Sequence, residues 1–113
     1  MKVYITGSTG FVGENIINLN PNTNFIRNRR NENIKIDGDF VFHFAGLAHN
    51  SNNDYSLYEE SNYFFTKKIY DNFLKSNSRV FIFLSTIKVV GNYQYEITEN
   101  SIPTEQNSYG KSK

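Results

Sequence analysis

The chain has 113 residues, with twelve Lys plus Arg against eleven Asp plus Glu, two histidines and no cysteine. That length holds one small domain with a modest core. The near balance of charge gives no electrostatic case for a nucleic-acid or membrane partner, and the missing thiols exclude a disulfide framework and a thiolate metal site.

In chain order, "KVYIT" is a β-branched apolar run closed by Gly7 and reads as a buried strand. It is far too short for a signal peptide or a membrane span, so the expectation is a protein of the cytoplasm. "FVGENIINL" places Phe11, Val12, Ile16, Ile17 and Leu19 at helical spacing, and Pro21 with its Asn neighbours ends that helix. "TNFIR" reads as a short second strand and "DFVFHFAG" as a third, closed by Gly46. "YSLYEESNYFFTKKIYDNFLKS" is predicted as one long helix, with a stripe of Leu57, Phe64, Phe65, Ile69, Phe73 and Leu74. "RVFIFLST" reads as a buried strand, and residues 91–107 as a polar loop. Ser108 is expected to cap a helix starting at Tyr109. The Asn-rich stretches "NLNPNTNF", "RNRRNENI" and "HNSNND" suit turns, because Asn tolerates left-handed backbone. Apolar strands alternating with helices in the order β-α-β-β-α-β predict a parallel α/β sheet of about four strands. No shift in composition marks a domain boundary.

Three segments carry chemistry. "TGSTGFVG" sets Gly7, Gly10 and Gly13 between a strand and a helix. In that context a glycine can serve a tight turn, the approach of backbone to a pyrophosphate, or the packing of helix on strand. The helix N-terminus adds free N–H groups and a positive dipole end for phosphates. "FIRNRRN" ends the second strand with Arg27, Arg29 and Arg30 ahead of the nearest acid, Glu32. An acid there would bond a ribose 2′-OH, whereas arginine accommodates a 2′-phosphate; the alternative is a solvated basic loop. At the far end, Tyr109 and Lys113 are four residues apart and would share one helix face. His43, inside an apolar strand, is expected to be a hydrogen-bonded core residue and His49 a surface one; two isolated histidines make no metal site.

The G-x-x-G-x-x-G spacing resembles the extended short-chain dehydrogenase/reductase superfamily, in its NAD-dependent epimerase/dehydratase branch acting on nucleotide sugars. Four further stretches match in order: "DFVFHFAG", "ESNYFFTKKIYD" with Asn62, "FIFLSTIKVVG", and "ITENSIPTEQNSYGKSK" leading to Y-x-x-x-K. The resemblance implies a Rossmann-type parallel sheet. It implies cofactor contacts from Gly7, Gly10, Phe11, Val12, Gly13, Arg27, Ala45, Gly46, Tyr109 and Lys113, with NAD or NADP as cofactor. It also implies catalytic roles for Thr86, Tyr109 and Lys113, with Ser85 the near alternative to Thr86. Tyr109 would move the proton at the sugar oxygen, helped by the Lys113 ammonium, which favours phenolate.

The function so implied is a nucleotide-sugar 4-epimerase or reductase, with a nucleotide sugar as partner of the full-length form and a homodimer admitted. Ile87 after Thr86 speaks against a dehydratase, which often has an acid there. The alternative is a non-catalytic dinucleotide-binding module or a truncated relic. Residues 1–113 read as the N-terminal part of a dinucleotide-binding domain, cut before the central helix is complete and lacking the substrate-binding C-terminal part. Two expectations follow: one face of the last strand is left uncovered, and the chain alone is inactive, since a five-residue helix holds Tyr109 and Lys113 weakly. The connection between Leu19 and Asp39 is short for the family, which compresses its third strand and helix and weakens any adenine-side role for Asp37.

Overall fold

Four strands are found among the described residues: β1 (Lys2–Thr6), β2 (Asn24–Arg27), β3 (Phe40–His43) and β4 (Val80–Phe83). They pair in parallel in the order β2-β1-β3-β4. The computed structural model describes residues 1–29, 33–49, 51–52, 54–91, 96–104 and 107–113. The chain divides into two compact units, Met1–Ala45 with Phe65–Leu84 and Gly46–Phe64 with Ser85–Lys113. Each unit joins two separated stretches, so no linear boundary exists for composition to reveal.

The first unit is the sheet with helices α1 (Phe11–Leu19) and α3 (Phe65–Phe73). β1 is central and buries Val3, Tyr4, Ile5 and Thr6. Tyr4, Val41 and Ile69 form a core cluster, with Ile26, Ile34, Ile36, Phe65, Phe73 and Phe81 packed around it. Such alternate-face burial is what fixes register in a parallel sheet, since a one-residue slip would turn these side chains to the opposite face. Residues 33–37 contain no regular element, yet Ile34 and Ile36 still reach the core. The described part of the connection from β2 to β3 is thus irregular, where the family's third strand and helix were expected to be compressed.

Two expectations for this unit need correction. β4 is not buried on both faces: Val80 and Ile82 on it, and Leu84 just beyond, are 41%, 43% and 41% exposed. β4 is the edge strand, paired only with β3 among the described residues, and the exposed side chains at 80, 82 and 84 mark its uncovered face, as expected. α1 also uses little of its apolar stripe. Phe11 and Leu19 are exposed, and the residue it buries is Gly13.

The second unit holds α2 (Tyr55–Tyr58), a π-helical segment (Glu59–Phe64), a 3-10 turn (Ile87–Val90) and α4 (Ser108–Ser112). The single helix expected over 55–76 is thus broken by wide π turns before α3 begins. Asp54 caps α2 by accepting from Ser56 N–H at 2.9 Å. α4 is capped by Asn107 rather than Ser108; the Asn107 side chain accepts from Gly110 N–H at 2.7 Å. Ser108 is instead the first helical residue. No helix among the described residues is long and apolar enough to cross a membrane.

Candidate functional site

In the first unit, β1 ends in the loop Gly7-Ser8-Thr9-Gly10 that enters α1. The three glycines meet different demands. Gly7 has φ of +71°, a conformation that a Cβ disfavours. A Cβ there would also lie 2.5 Å from Ala45 N and 2.6 Å from Phe44 C, at the end of β3. Gly13 lets α1 close on the loop, since a Cβ would overlap the Gly7 carbonyl oxygen and sit 2.9 Å from its carbon. Gly10 differs from both. Its φ is −84°, and a Cβ would meet only Gly7 O, at 3.4 Å.

Among the described residues nothing therefore requires glycine at position 10. The room beside it is what a pyrophosphate approaching the backbone would need. Phe11 and Val12, the first residues of α1, are exposed beside it. The loop thus fits a dinucleotide on its own geometry. Ala45, half-buried, donates its N–H to Thr6 Oγ1 at 3.3 Å, which ties the end of β3 to the end of β1.

Arg27 closes β2, opposite Ile5 in register, and is exposed. Asn28 follows it and is held twice, by its N–H on Ile5 O at 2.9 Å and its side-chain amide on Tyr4 Oη at 2.8 Å. Arg29 is exposed beyond it; Arg30 and Glu32 lie outside the described residues. Asp37 pairs with Lys2 at 2.6 Å, at the amino end of β1 and so away from the glycine loop. The adenine-side role already weakened for Asp37 has no support from that position.

His43 is fully buried. Its Nδ1 lies 2.7 Å from Thr6 Oγ1, its Nε2 lies 2.7 Å from Thr66 Oγ1, and its ring stacks on Phe83 with centroids 5.8 Å apart. It serves the core as expected. No group of three or more His, Cys, Asp or Glu side chains among the described residues could hold a metal ion.

In the second unit the organising residue is Asn62, 1% exposed within the π-helical segment. Its Oδ1 accepts from Leu47 N–H at 2.6 Å, and its Nδ2 donates to Leu47 O at 2.9 Å and to Ser112 Oγ at 2.9 Å. Ser112 Oγ in turn donates to the Tyr109 carbonyl at 2.8 Å. The short helix carrying Tyr109 and Lys113 is thereby fastened from inside. The family resemblance points to support from Asn62, but Ser112, its partner, carries no sequence signal of its own.

Tyr109 is half-buried, with its ring 6.1 Å from that of buried Tyr58, and its hydroxyl has no hydrogen bond among the described residues. Lys113 is also half-buried, and desolvation pushes its ammonium below the ordinary lysine value. A Cβ at Gly46 would lie 3.2 Å from Lys113 Nζ and 3.0 Å from Asn62 Oδ1, so the lysine head lies against the Gly46 backbone.

Thr86 caps the 3-10 turn, with its hydroxyl oxygen accepting from Lys88 N–H at 3.3 Å. Its hydroxyl proton is still available to an outside acceptor. Ser85 is the more exposed of the two hydroxyls. α4 meets this turn at Gly110, where a Cβ would overlap the Lys88 carbonyl oxygen. The second unit thus brings the turn of Thr86 and the helix of Tyr109 and Lys113 together. Three contributors escape sequence reasoning: Gly110, Gly91 and Thr104. Gly91 has φ of +70°, and a Cβ there would overlap Thr104 O. Thr104 Oγ1 donates to Val90 O at 2.7 Å. A glycine after "VV" is the one visible hint of this contact; nothing near Thr104 announces it.

The family model for the NAD dependent epimerase/dehydratase family matches residues 23–113. No curated protein matches the sequence. Among solved structures, UDP-glucuronic acid 4-epimerase from Bacillus cereus in complex with NAD aligns with a TM-score of 0.82 at 21% identity, over 99% of this chain and 48% of that one. A dTDP-4-dehydrorhamnose reductase from Clostridium acetobutylicum gives 0.81 at 20%, over 99% and 46%. RMD from Pseudomonas aeruginosa, complexed with NADPH, gives 0.78 at 20%, over 98% and 44%. At these identities the likeness is one of fold. The chain spans about half the length of these relatives, as the 44–48% coverage shows.

Proposed function

Because this chain belongs to the NAD-dependent epimerase/dehydratase family, we propose that it is the dinucleotide-binding part of an enzyme that epimerises or reduces a nucleotide-bound sugar with NAD or NADP. The observation that carries this is the glycine loop. Gly7 and Gly13 are required by the fold, while the room at Gly10 answers no need of the chain itself. Phe11 and Val12 would offer backbone N–H groups to the pyrophosphate, which the room at Gly10 would let approach, with Ala45 at the end of β3 near the loop.

When bound, the cofactor supplies the acceptor or donor of a hydride at a sugar carbon, with C4 the carbon in the epimerase case. Tyr109 would hold or move the proton at the neighbouring sugar oxygen, for which its unengaged hydroxyl is suited. Lys113 would favour the phenolate form and bond the nicotinamide ribose. Thr86 would donate its free hydroxyl proton to the same sugar oxygen.

The test is to give the full-length protein a nucleotide hexose with NAD or NADP and follow the sugar by proton NMR. Inversion at C4 supports an epimerase, and consumption of reduced cofactor with a 4-keto sugar supports a reductase. Dinucleotide binding without turnover on any nucleotide sugar would instead leave a non-catalytic binding module.

A further inference from the structure

We infer that the end of β2 reads a 2′-phosphate, so that the dinucleotide taken by this chain is NADP(H) in preference to NAD(H). The inference rests on the dinucleotide-binding function proposed above and adds the identity of the cofactor. Register places Arg27 opposite Ile5, two residues before Gly7, so β2 ends beside the glycine loop within the same unit. The next residue, Asn28, is pinned to Ile5 O and to the hydroxyl of Tyr4, a residue only 3% exposed. Arg27 and Arg29 thus flank an anchored point of backbone, and both are exposed there.

A guanidinium has five N–H donors and no acceptor. It can grip a 2′-phosphate with a bidentate fork, but it cannot accept the proton of a ribose 2′-OH as a carboxylate would. The described acids of this unit lie elsewhere. Asp37 and Asp39 bind Lys2 at the amino end of β1, Glu14 is on α1, and Asp71 pairs with Lys67 on α3. None closes β2.

The experiment is a fluorescence titration of the full chain with NADPH and with NADH at one ionic strength. It is repeated on Arg27→Ala, Arg29→Ala and Arg27→Asp, with circular dichroism to check that each variant is folded. We expect NADPH to bind at least about tenfold more tightly than NADH, the scale of one charge-assisted hydrogen bond. Arg27→Ala should remove most of that ratio, and Arg27→Asp, which supplies an acceptor, should turn it towards NADH. Equal affinities, or a ratio unmoved by all three substitutions, would overturn the inference and leave dinucleotide binding intact. Failure of both dinucleotides to bind would overturn the binding function itself and this inference with it.

Discussion

The side-chain amide of Asn62 donates to the hydroxyl of Ser112 at 2.9 Å, linking the π-helical segment to the helix that bears Tyr109 and Lys113. The same amide group closes a pair of bonds with the backbone of Leu47. Its three partner atoms, Leu47 N, Leu47 O and Ser112 Oγ, belong to buried or half-buried residues, so removing Asn62 leaves them poorly satisfied. Asn62→Ala should therefore destabilise the chain by about 1–3 kcal/mol. Hydrogen exchange should quicken at the Leu47 amide and across residues 108–113 more than in the sheet. Unchanged protection at both places would refute the linkage.

The three glycines of the loop should separate under substitution. Gly7→Ala forces a left-handed alanine against Ala45 N, and Gly13→Ala drives a methyl into the Gly7 carbonyl, so both should lower the melting temperature. Gly10→Ala should shift stability by less than about 0.5 kcal/mol. Its dinucleotide affinity should nonetheless fall by about tenfold or more. A Gly10→Ala protein that binds dinucleotide as well as the parent would remove the pyrophosphate from this place.

Lys113 yields a pH dependence of definite sign. Its folded value lies below the ordinary 10.5 because burial penalises the charged form. Below the folded value that penalty is fully present. Between the folded value and 10.5 the unfolded chain binds more protons, so this group makes stability rise with pH, and above 10.5 the penalty is gone. Urea unfolding of the parent and of Lys113→Met, compared from about pH 8 upward, isolates the effect, because the other titrating groups cancel in the difference. A difference that is flat or falls with pH would contradict the buried ammonium.

Gly91 combines φ of +70° with ψ of −153°, a region that is essentially glycine's alone. Gly91→Ala should cost about 1–3 kcal/mol in backbone strain and, through the clash with Thr104 O, loosen the turn capped by Thr86. Thr104→Val, which loses only the bond to Val90 O, should cost about 1 kcal/mol. If the two variants melt together, the strain is not where the backbone angles locate it.

Much of the sheet was legible in the sequence because its strands are short apolar runs ended by glycine or by polar residues, and the glycine spacing marked the first crossover. Three features were not. β4 reads as a buried strand because Val80, Phe81, Ile82 and Phe83 are all apolar, and its uncovered face was expected from the missing covering helix rather than from the strand's own residues. Apolar letters record suitability for burial, not the presence of a covering element. The break after Tyr58 was hidden because "YSLYEESNYFF" fits α spacing as well as π spacing. Asn107 displaced Ser108 as cap by one position, a choice that depends on which side chain reaches Gly110 N–H. For the site, Tyr109, Lys113 and Asn62 stood out by motif. Their fastenings, Ser112, Gly110 and Thr104, did not, because each acts through a contact far off in sequence or through the mere absence of a Cβ.

The π-helical segment makes this stretch sensitive to length in a way that substitution would not expose. A π turn accommodates an extra residue in a helix, so Glu59–Phe64 carries one residue more than α turns would need over the same rise. Deleting Ser61 would let the segment rewind as regular α turns, and circular dichroism would record little change. Asn62 lies inside the rewound stretch, so its side chain would leave the direction from which it meets Leu47 and Ser112. The fastening of α4 should then be lost although every remaining residue keeps its type, so insertions and deletions here are filtered more strictly than changes of residue type.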